Sequence, residues 1–166
     1  MILLTSGGYV SSDLVSEYGI IPSSFVPLKN LRLFEHQINF IKKNFGNRQI
    51  FMSIPNDYDI GESDRKILKN NDINVIKTDP NSSYGKSIYD CLNIISLKEE
   101  VVTILNGDTL FLKYNNTKSD DYAFIGLPDG NYNWDYCKDN KHIYLGLFSF
   151  SSKETFKKIL KHNDYS

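Results

Sequence analysis

The 166 residues, 40% hydrophobic and 23% charged, suit one globular domain large enough to close a single core without staples. A net charge of −1 leaves no overall basic footprint, which removes the electrostatic case for nucleic acid or anionic membrane as a partner. No stretch approaches the ~20 apolar residues of a membrane span, and Cys91 and Cys137 match no metal spacing.

Ile2–Thr5 reads as a first strand. Only Met1 precedes it, with no basic region ahead of the apolar run, so it is not a signal peptide and a cytoplasmic location is expected. Ser6-Gly7-Gly8 follows directly. Glycines there let backbone N–H groups approach a phosphate, and they equally serve any tight turn. Residues 9–24 hold five serines, Pro22 and no helical period, which predicts an irregular loop with at most one short helical turn.

Phe25–Leu28 is read as a short extended piece leading to Lys29-Asn30. From Leu31 the residues Leu33, Phe34, Gln37, Ile38 and Ile41 recur at steps of three and four, with Lys42-Lys43 in the last turn. That is an amphipathic helix ending near Gly46. Gln49–Ile54 is the second strand, a helix follows over Ile60–Asn70, and Ile73–Lys77 is the third strand. The loop through Ser82-Ser83 supplies N-cap residues for a helix over Tyr84–Leu97, with Ile88, Cys91, Leu92 and Ile95 toward the core.

Val101–Leu105 is a short apolar run of the kind buried on both faces of a parallel sheet. It breaks at Asn106-Gly107 and delivers one carboxylate, Asp108, at the strand's C-terminal edge, where ligands bind in open α/β sheets. A lone carboxylate there suits Mg²⁺, which takes one or two protein carboxylates beside substrate phosphates and water. Asn-Gly-Asp is also an ordinary turn that Asp108 could cap.

The alternation of strand and helix to this point predicts an α/β parallel sheet with right-handed crossovers. In the last third, Asp121–Leu127, Asn133–Cys137 and His142–Phe150 are expected as strands with some antiparallel pairing. A capped helix then starts at Ser151-Ser152, its inner face made by Phe156, Ile159 and Leu160. His142 and His162 lack partners at ligand spacing, and His36 reads as an edge histidine in its helix. Trp134 with Tyr132 and Tyr136 would line an acceptor pocket or form a packing or partner surface, including a homo-oligomer interface.

Three stretches together resemble the sugar-phosphate nucleotidyltransferases, a family that shares its Rossmann-like fold with the GT-A glycosyltransferases. They are Ile2–Gly8 with Ile21–Leu28, Val102–Phe111, and Ile143–Phe150 followed by a helix. The resemblance covers nearly the whole chain and implies a three-layer Rossmann-like sandwich with a mixed, mostly parallel central sheet. It implies one nucleotidyltransferase-like domain over residues 1–166, moving a nucleoside monophosphate from a triphosphate to a sugar phosphate or similar phosphorylated acceptor. It further implies Mg²⁺ on Asp108 and nucleotide contacts from Thr5, Ser6, Gly7, Gly8, Ser82, Gly85 and Asn106, with Ser87 beside them. A weaker resemblance, over Phe25–Gln37, is to a subgroup met in bacterial surface-polysaccharide proteins, sometimes fused to another enzyme domain.

The departures are specific. The family's loop arginine is absent from Tyr9–Asp13, and its lysine after the proline falls on Ser23. Lys29 and Arg32 are the nearest catalytic replacements, with Lys86 a third. The family's second metal-binding aspartate would fall beyond Ser166, so the chain is either a fragment or lacks that half-site. Two alternatives stand beside nucleotidyl transfer. One is a GT-A glycosyltransferase, whose usual Asp-x-Asp is here Asn106-Gly107-Asp108, and the other is a non-catalytic nucleotide-binding or scaffolding domain.

Overall fold

The computed structural model describes residues 1–97, 101–114, 119–129 and 136–165. Its centre is a six-stranded sheet built from β1 (Ile2–Thr5), β4 (Ile50–Pro55), β5 (Asn74–Thr78), β6 (Val102–Asn106), β7 (Tyr122–Gly126) and β8 (Ile143–Phe150). The spatial order is β5-β4-β1-β6-β8-β7. β1 pairs in parallel with both β4 and β6, and β4 with β5. β8 then runs antiparallel to β6 and to β7, so the sheet is mixed and mostly parallel, as the alternation and the resemblance implied.

Both faces of the sheet are covered at β1 and β6, which is why these strands are apolar at every position except Thr103 and their last residues, Thr5 and Asn106. On one face Ile2, Leu4, Met52, Ile54 and Leu105 pack with Phe34, Ile38 and Ile41 of α2 (Leu33–Phe45) and Leu68 of α3 (Glu62–Asn70). On the other, Met1, Leu3, Val102 and Ile104 meet Ile88, Cys91 and Leu92 of α4 (Tyr84–Ile94). Phe156 and Leu160 of α5 (Lys153–His162) join that second layer, and the Phe156 ring stacks on Phe150 at 3.8 Å. Because strand side chains alternate with period two, odd and even residues of one strand serve two separate cores.

Four expectations need correction. Residues 12–18 form a helix, α1 (Ser12–Tyr18), where an irregular loop was expected. None of its residues is buried, so it leaves no apolar period to read. Phe25 closes a 3-10 turn (Ser23–Phe25) instead of starting an extended piece; Pro27–Leu28 (β2) pairs with Leu31–Arg32 (β3) as a two-residue hairpin. The helix after Ser83 stops at Ile94, with Ile95 extended. Ile159 is 47% exposed, because α5 lies over the sheet with only Phe156 and Leu160 inward. Of the strand expected over Asn133–Cys137, residues 133–135 lie outside the described residues, while Tyr136 bridges to Ile143.

The edge of the sheet where β1 and β6 begin is fastened by Arg48. Its guanidinium donates to the carbonyls of Met1 (2.8 Å) and Val101 (2.9 Å) and to Thr103 Oγ1 (2.9 Å). Thr103 Oγ1 in turn lies 3.1 Å from Ser149 Oγ on β8. One fork thus holds the starts of two neighbouring strands, with bonds strengthened by the donor's charge. Arg48→Met keeps the aliphatic stem but removes all three bonds, and is expected to lower unfolding free energy by about 2–3 kcal/mol in urea titrations. A change below ~0.5 kcal/mol would show that water replaces the fork without loss.

Candidate functional site

The chain leaves β1 for β4 on one side of the strand and returns to β6 on the other. Strand order therefore reverses at β1, and the loops after β1 and β6 part at their C-terminal ends to leave a crevice. A cleft of about 490 Å³ lies there, lined by the loop after β1, the Asn106-Gly107-Asp108 turn, Asp79, Pro80, Ser82, Tyr84 and Ser87, and the mouth of α1.

Its floor is fixed by close backbone approaches. Gly107 N donates to Thr5 O at 2.7 Å, and a Cβ on Gly107 would sit 2.4 Å from that same oxygen, so no larger residue fits. Gly7 lies against Thr78 Oγ1, 2.5 Å from where its Cβ would be, and near Ser87 Oγ. Gly8 faces open space. Ser6 lines the cleft but is engaged inward. Its N–H donates to Ser53, and its hydroxyl accepts from the Ser24 N–H and the Ser24 hydroxyl (2.7 Å). The 3-10 turn is thereby held against the end of β1.

Tyr84 spans the crevice. Its hydroxyl bonds Thr5 Oγ1 (3.3 Å) and donates to Asn106 Oδ1, joining the ends of β1 and β6 through side chains. Burial of that hydroxyl raises its pKa, the Thr5 bond opposes the shift, and the charge of nearby Asp108 adds to it. The residue as a whole stays 48% exposed, so its ring remains a wall of the cleft. Across from it Tyr9 donates to Asp57 Oδ1 at 2.6 Å, and burial together with that carboxylate pushes its phenol up to about 12. Gly146 on β8 has φ +72° and leaves room for the Asn106 side chain, which a Cβ would approach to 2.8 Å.

Thr5, Ser6, Gly7, Gly8, Ser82, Ser87, Asn106 and Asp108 are thus brought to one cleft. Asp108 is exposed, with Thr109 Oγ1 donating to its Oδ1 at 3.2 Å. Gly85 is not among the lining residues. It is buried against the carbonyl of Tyr165, 2.3 Å from where its Cβ would be. Lys29, Arg32 and Lys86 are also outside the lining. Lys29 sits at φ +57° in the exposed β2–β3 turn, and Lys86 pairs with Asp90 and lies 5.6 Å over the Tyr165 ring. Arg32 bonds Asp64 Oδ1 and Phe25 O, tying the start of α2 to α3. Among the described residues no Lys, Arg or His lines the cleft, and its ionisable carboxylates are Asp79 and Asp108.

An exposed carboxylate such as Asp108 fits Mg²⁺ held jointly with substrate phosphates, and no cluster of three His, Cys, Asp or Glu among the described residues could form a protein-only metal cage. Sequence reasoning missed Tyr84 and the hydroxyls of Ser53 and Thr78. The only available signal was their place at strand ends and at a helix start. Gln37 was counted with the recurring residues of its helix, and its buried amide, which has to find partners, went unread.

The described residues have the sugar-phosphate nucleotidyltransferase-like fold, and solved structures agree with it over nearly the whole chain. A nucleoside-diphosphate-sugar pyrophosphorylase from Vibrio cholerae RC9 superposes with a TM-score of 0.73 at 16% identity, over 100% of this chain and 79% of that one. The inositol-1-phosphate CTP transferase from T. maritima gives 0.72 at 17%, over 98% and 73%. A 4-diphosphocytidyl-2C-methyl-D-erythritol synthase from Anaerococcus prevotii gives 0.54 at 16%, over 99% and 76%. No protein-family model and no curated protein matches the sequence. At these identities the likeness establishes the fold.

Arg32 offers a direct test of its role. Arg32→Met leaves Asp64, whose side chain is 10% exposed, without its counter-ion, and is expected to cost about 2–4 kcal/mol in urea unfolding while ligand affinity at the cleft stays within threefold. Unchanged stability with lost binding would return Arg32 to the site.

Proposed function

We propose that the cleft binds a nucleoside triphosphate and that the domain transfers its nucleoside monophosphate to a sugar phosphate or similar phosphorylated acceptor. The observation that carries this reading is the convergence of Gly7-Gly8 and Asp108 on one crevice at the reversal of strand order. An oxygen of the acceptor's phosphate would attack the α-phosphorus. The bond from that phosphorus to its β-bridging oxygen would break, and pyrophosphate would leave. Asp108 would hold Mg²⁺, which when bound supplies charge neutralisation at the phosphates. Gly7 and Gly8 would let the backbone approach the nucleotide, Tyr84 and Ser82 would bound it, and Asn106 would meet its sugar. The product would be an activated precursor for bacterial capsule or other surface polysaccharide, made in the cytoplasm, with a homo-oligomer or a fused enzyme domain as the setting. No described helix is long and apolar enough to cross a membrane.

A second reading, nucleotide binding without transfer, is favoured by the absence of any cation among the described lining residues. Fixed positive charge is the main protein contribution to phosphoryl transfer, and here Asp79 and Asp108 oppose a bare triphosphate.

Calorimetry with CTP, UTP, GTP and ATP separates these outcomes. One nucleotide is expected to bind with Mg²⁺ present, to lose at least tenfold affinity when EDTA removes the metal, and to lose a similar factor in Asp108→Ala. Pyrophosphate release with sugar-phosphate acceptors then distinguishes transfer from binding alone. Failure of all four nucleotides to bind would overturn both readings.

A further inference from the structure

We infer that Gln37 is the positioning residue that fixes the turn bearing Asp108 and so sets how tightly a metal–nucleotide pair is held there, an inference resting on the reading above. Gln37 stands in the middle of the apolar face of α2, fully buried, beside Phe34, Ile38 and Ile41. Its Nε2 donates to three backbone carbonyls of the turn: Asn106 O at 3.0 Å, Gly107 O at 3.2 Å and Thr109 O at 2.7 Å. Carbonyl oxygens repel one another, so three of four consecutive peptides point inward together only if a donor collects them. With two hydrogens for three acceptors, the Gln37 amide shares them across the turn.

The opposite end of the same amide carries the argument further. Gln37 Oε1 is buried with no hydrogen-bond partner. Rotating the amide would aim that oxygen at three other oxygens, so the orientation is forced and the acceptor is left unpaired. An unpaired buried acceptor is a desolvation cost that an apolar residue of the same length would avoid. The same apolar residue would strand the three carbonyls, so the amide is held for the turn that bears Asp108 and not for the apolar face around it. With the carbonyls of 106, 107 and 109 anchored to α2, the intervening Asp108 projects its carboxylate on the exposed side, where Thr109 Oγ1 supports it. Helix α2, which contributes no lysine or arginine to the cleft, thereby acts on it through the backbone.

The test compares Gln37→Met, which keeps length and removes both donor and orphan, with Gln37→Glu, which keeps shape but places oxygens against the carbonyls. Two readouts are taken on the full chain. Amide hydrogen exchange is followed at Gly107, Asp108 and Thr109, and Mg²⁺ is titrated into each protein with ATP, CTP, GTP or UTP. In Gln37→Met the three amides should exchange at least tenfold faster, with the strand core unchanged. The Mg²⁺ concentration for half-maximal nucleotide binding should rise at least tenfold, and affinity for the metal–nucleotide pair should fall by a similar factor, while metal-free nucleotide binding stays within threefold. Gln37→Glu should be worse on both. Unchanged Mg²⁺ dependence and unchanged exchange, even with a lowered Tm, would reduce Gln37 to a packing residue and overturn the inference. Wild type that binds no nucleotide would instead overturn the function proposed above, and the exchange readout would then decide the role of Gln37 by itself.

Discussion

The hydrogen bond from Gly107 N to Thr5 O, 2.7 Å long, is made where β1 and β6 have each run out of regular pairing. It extends the parallel ladder by one step and holds the two strand ends in contact while the loops beyond them diverge. Only glycine permits it, since a Cβ would collide with the very oxygen being bonded. From this contact the remaining geometry follows. The Ser6-Gly7-Gly8 loop leaves to one side, Asp108 to the other, and the space between them is the cleft. A doubly covered sheet beneath, with separate cores on each face, makes that edge rigid enough to present a ligand site.

Hydroxyl groups do under this cleft what cations do in many phosphate sites, but structurally. Ser6, Ser24 and Ser53 are buried and satisfy one another and nearby backbone, and Thr78 donates to Ile54 O. They build a polar floor without leaving fixed positive charge above it. Catalytic power in such a site would depend on what the ligand brings with it, metal included, more than on the wall. That dependence is the physical content of the choice between transfer and binding.

The sequence exposed the parts governed by periodicity and hid those governed by tertiary contact. Val101–Leu105 was readable as a doubly buried strand because all but Thr103 of its residues are apolar, and Asp108 stood out because a turn signal ended that run. Helix α1 was not readable, since a helix with no buried residue carries no stripe. Arg32 and Lys86 looked available because sequence shows a charge but not its partner; Asp64 and Asp90 hold them. Gly85 looked like a ligand-side glycine, and its neighbour proved to be the Tyr165 carbonyl, 80 positions away in the chain. Tyr84 showed only its place at a helix start, because bridging two strand ends is a property of the sheet and not of the residues beside it.

That contact between Gly85 and Tyr165 has a further consequence. The turn after α5 reaches the first residues of α4, where Ser83 Oγ donates to Tyr165 O and the Tyr165 ring meets Tyr89 and lies beneath Lys86. The helix start that walls the cleft is therefore also the seat of the last described turn. Order is shared between them: a ligand that quietens the α4 start would quieten residues 163–165 as well, and strain applied at that turn would be felt in the cleft. The last described turn is thus joined to a wall of the cleft by packing, by the Ser83–Tyr165 hydrogen bond and by the Lys86 ammonium over the Tyr165 ring.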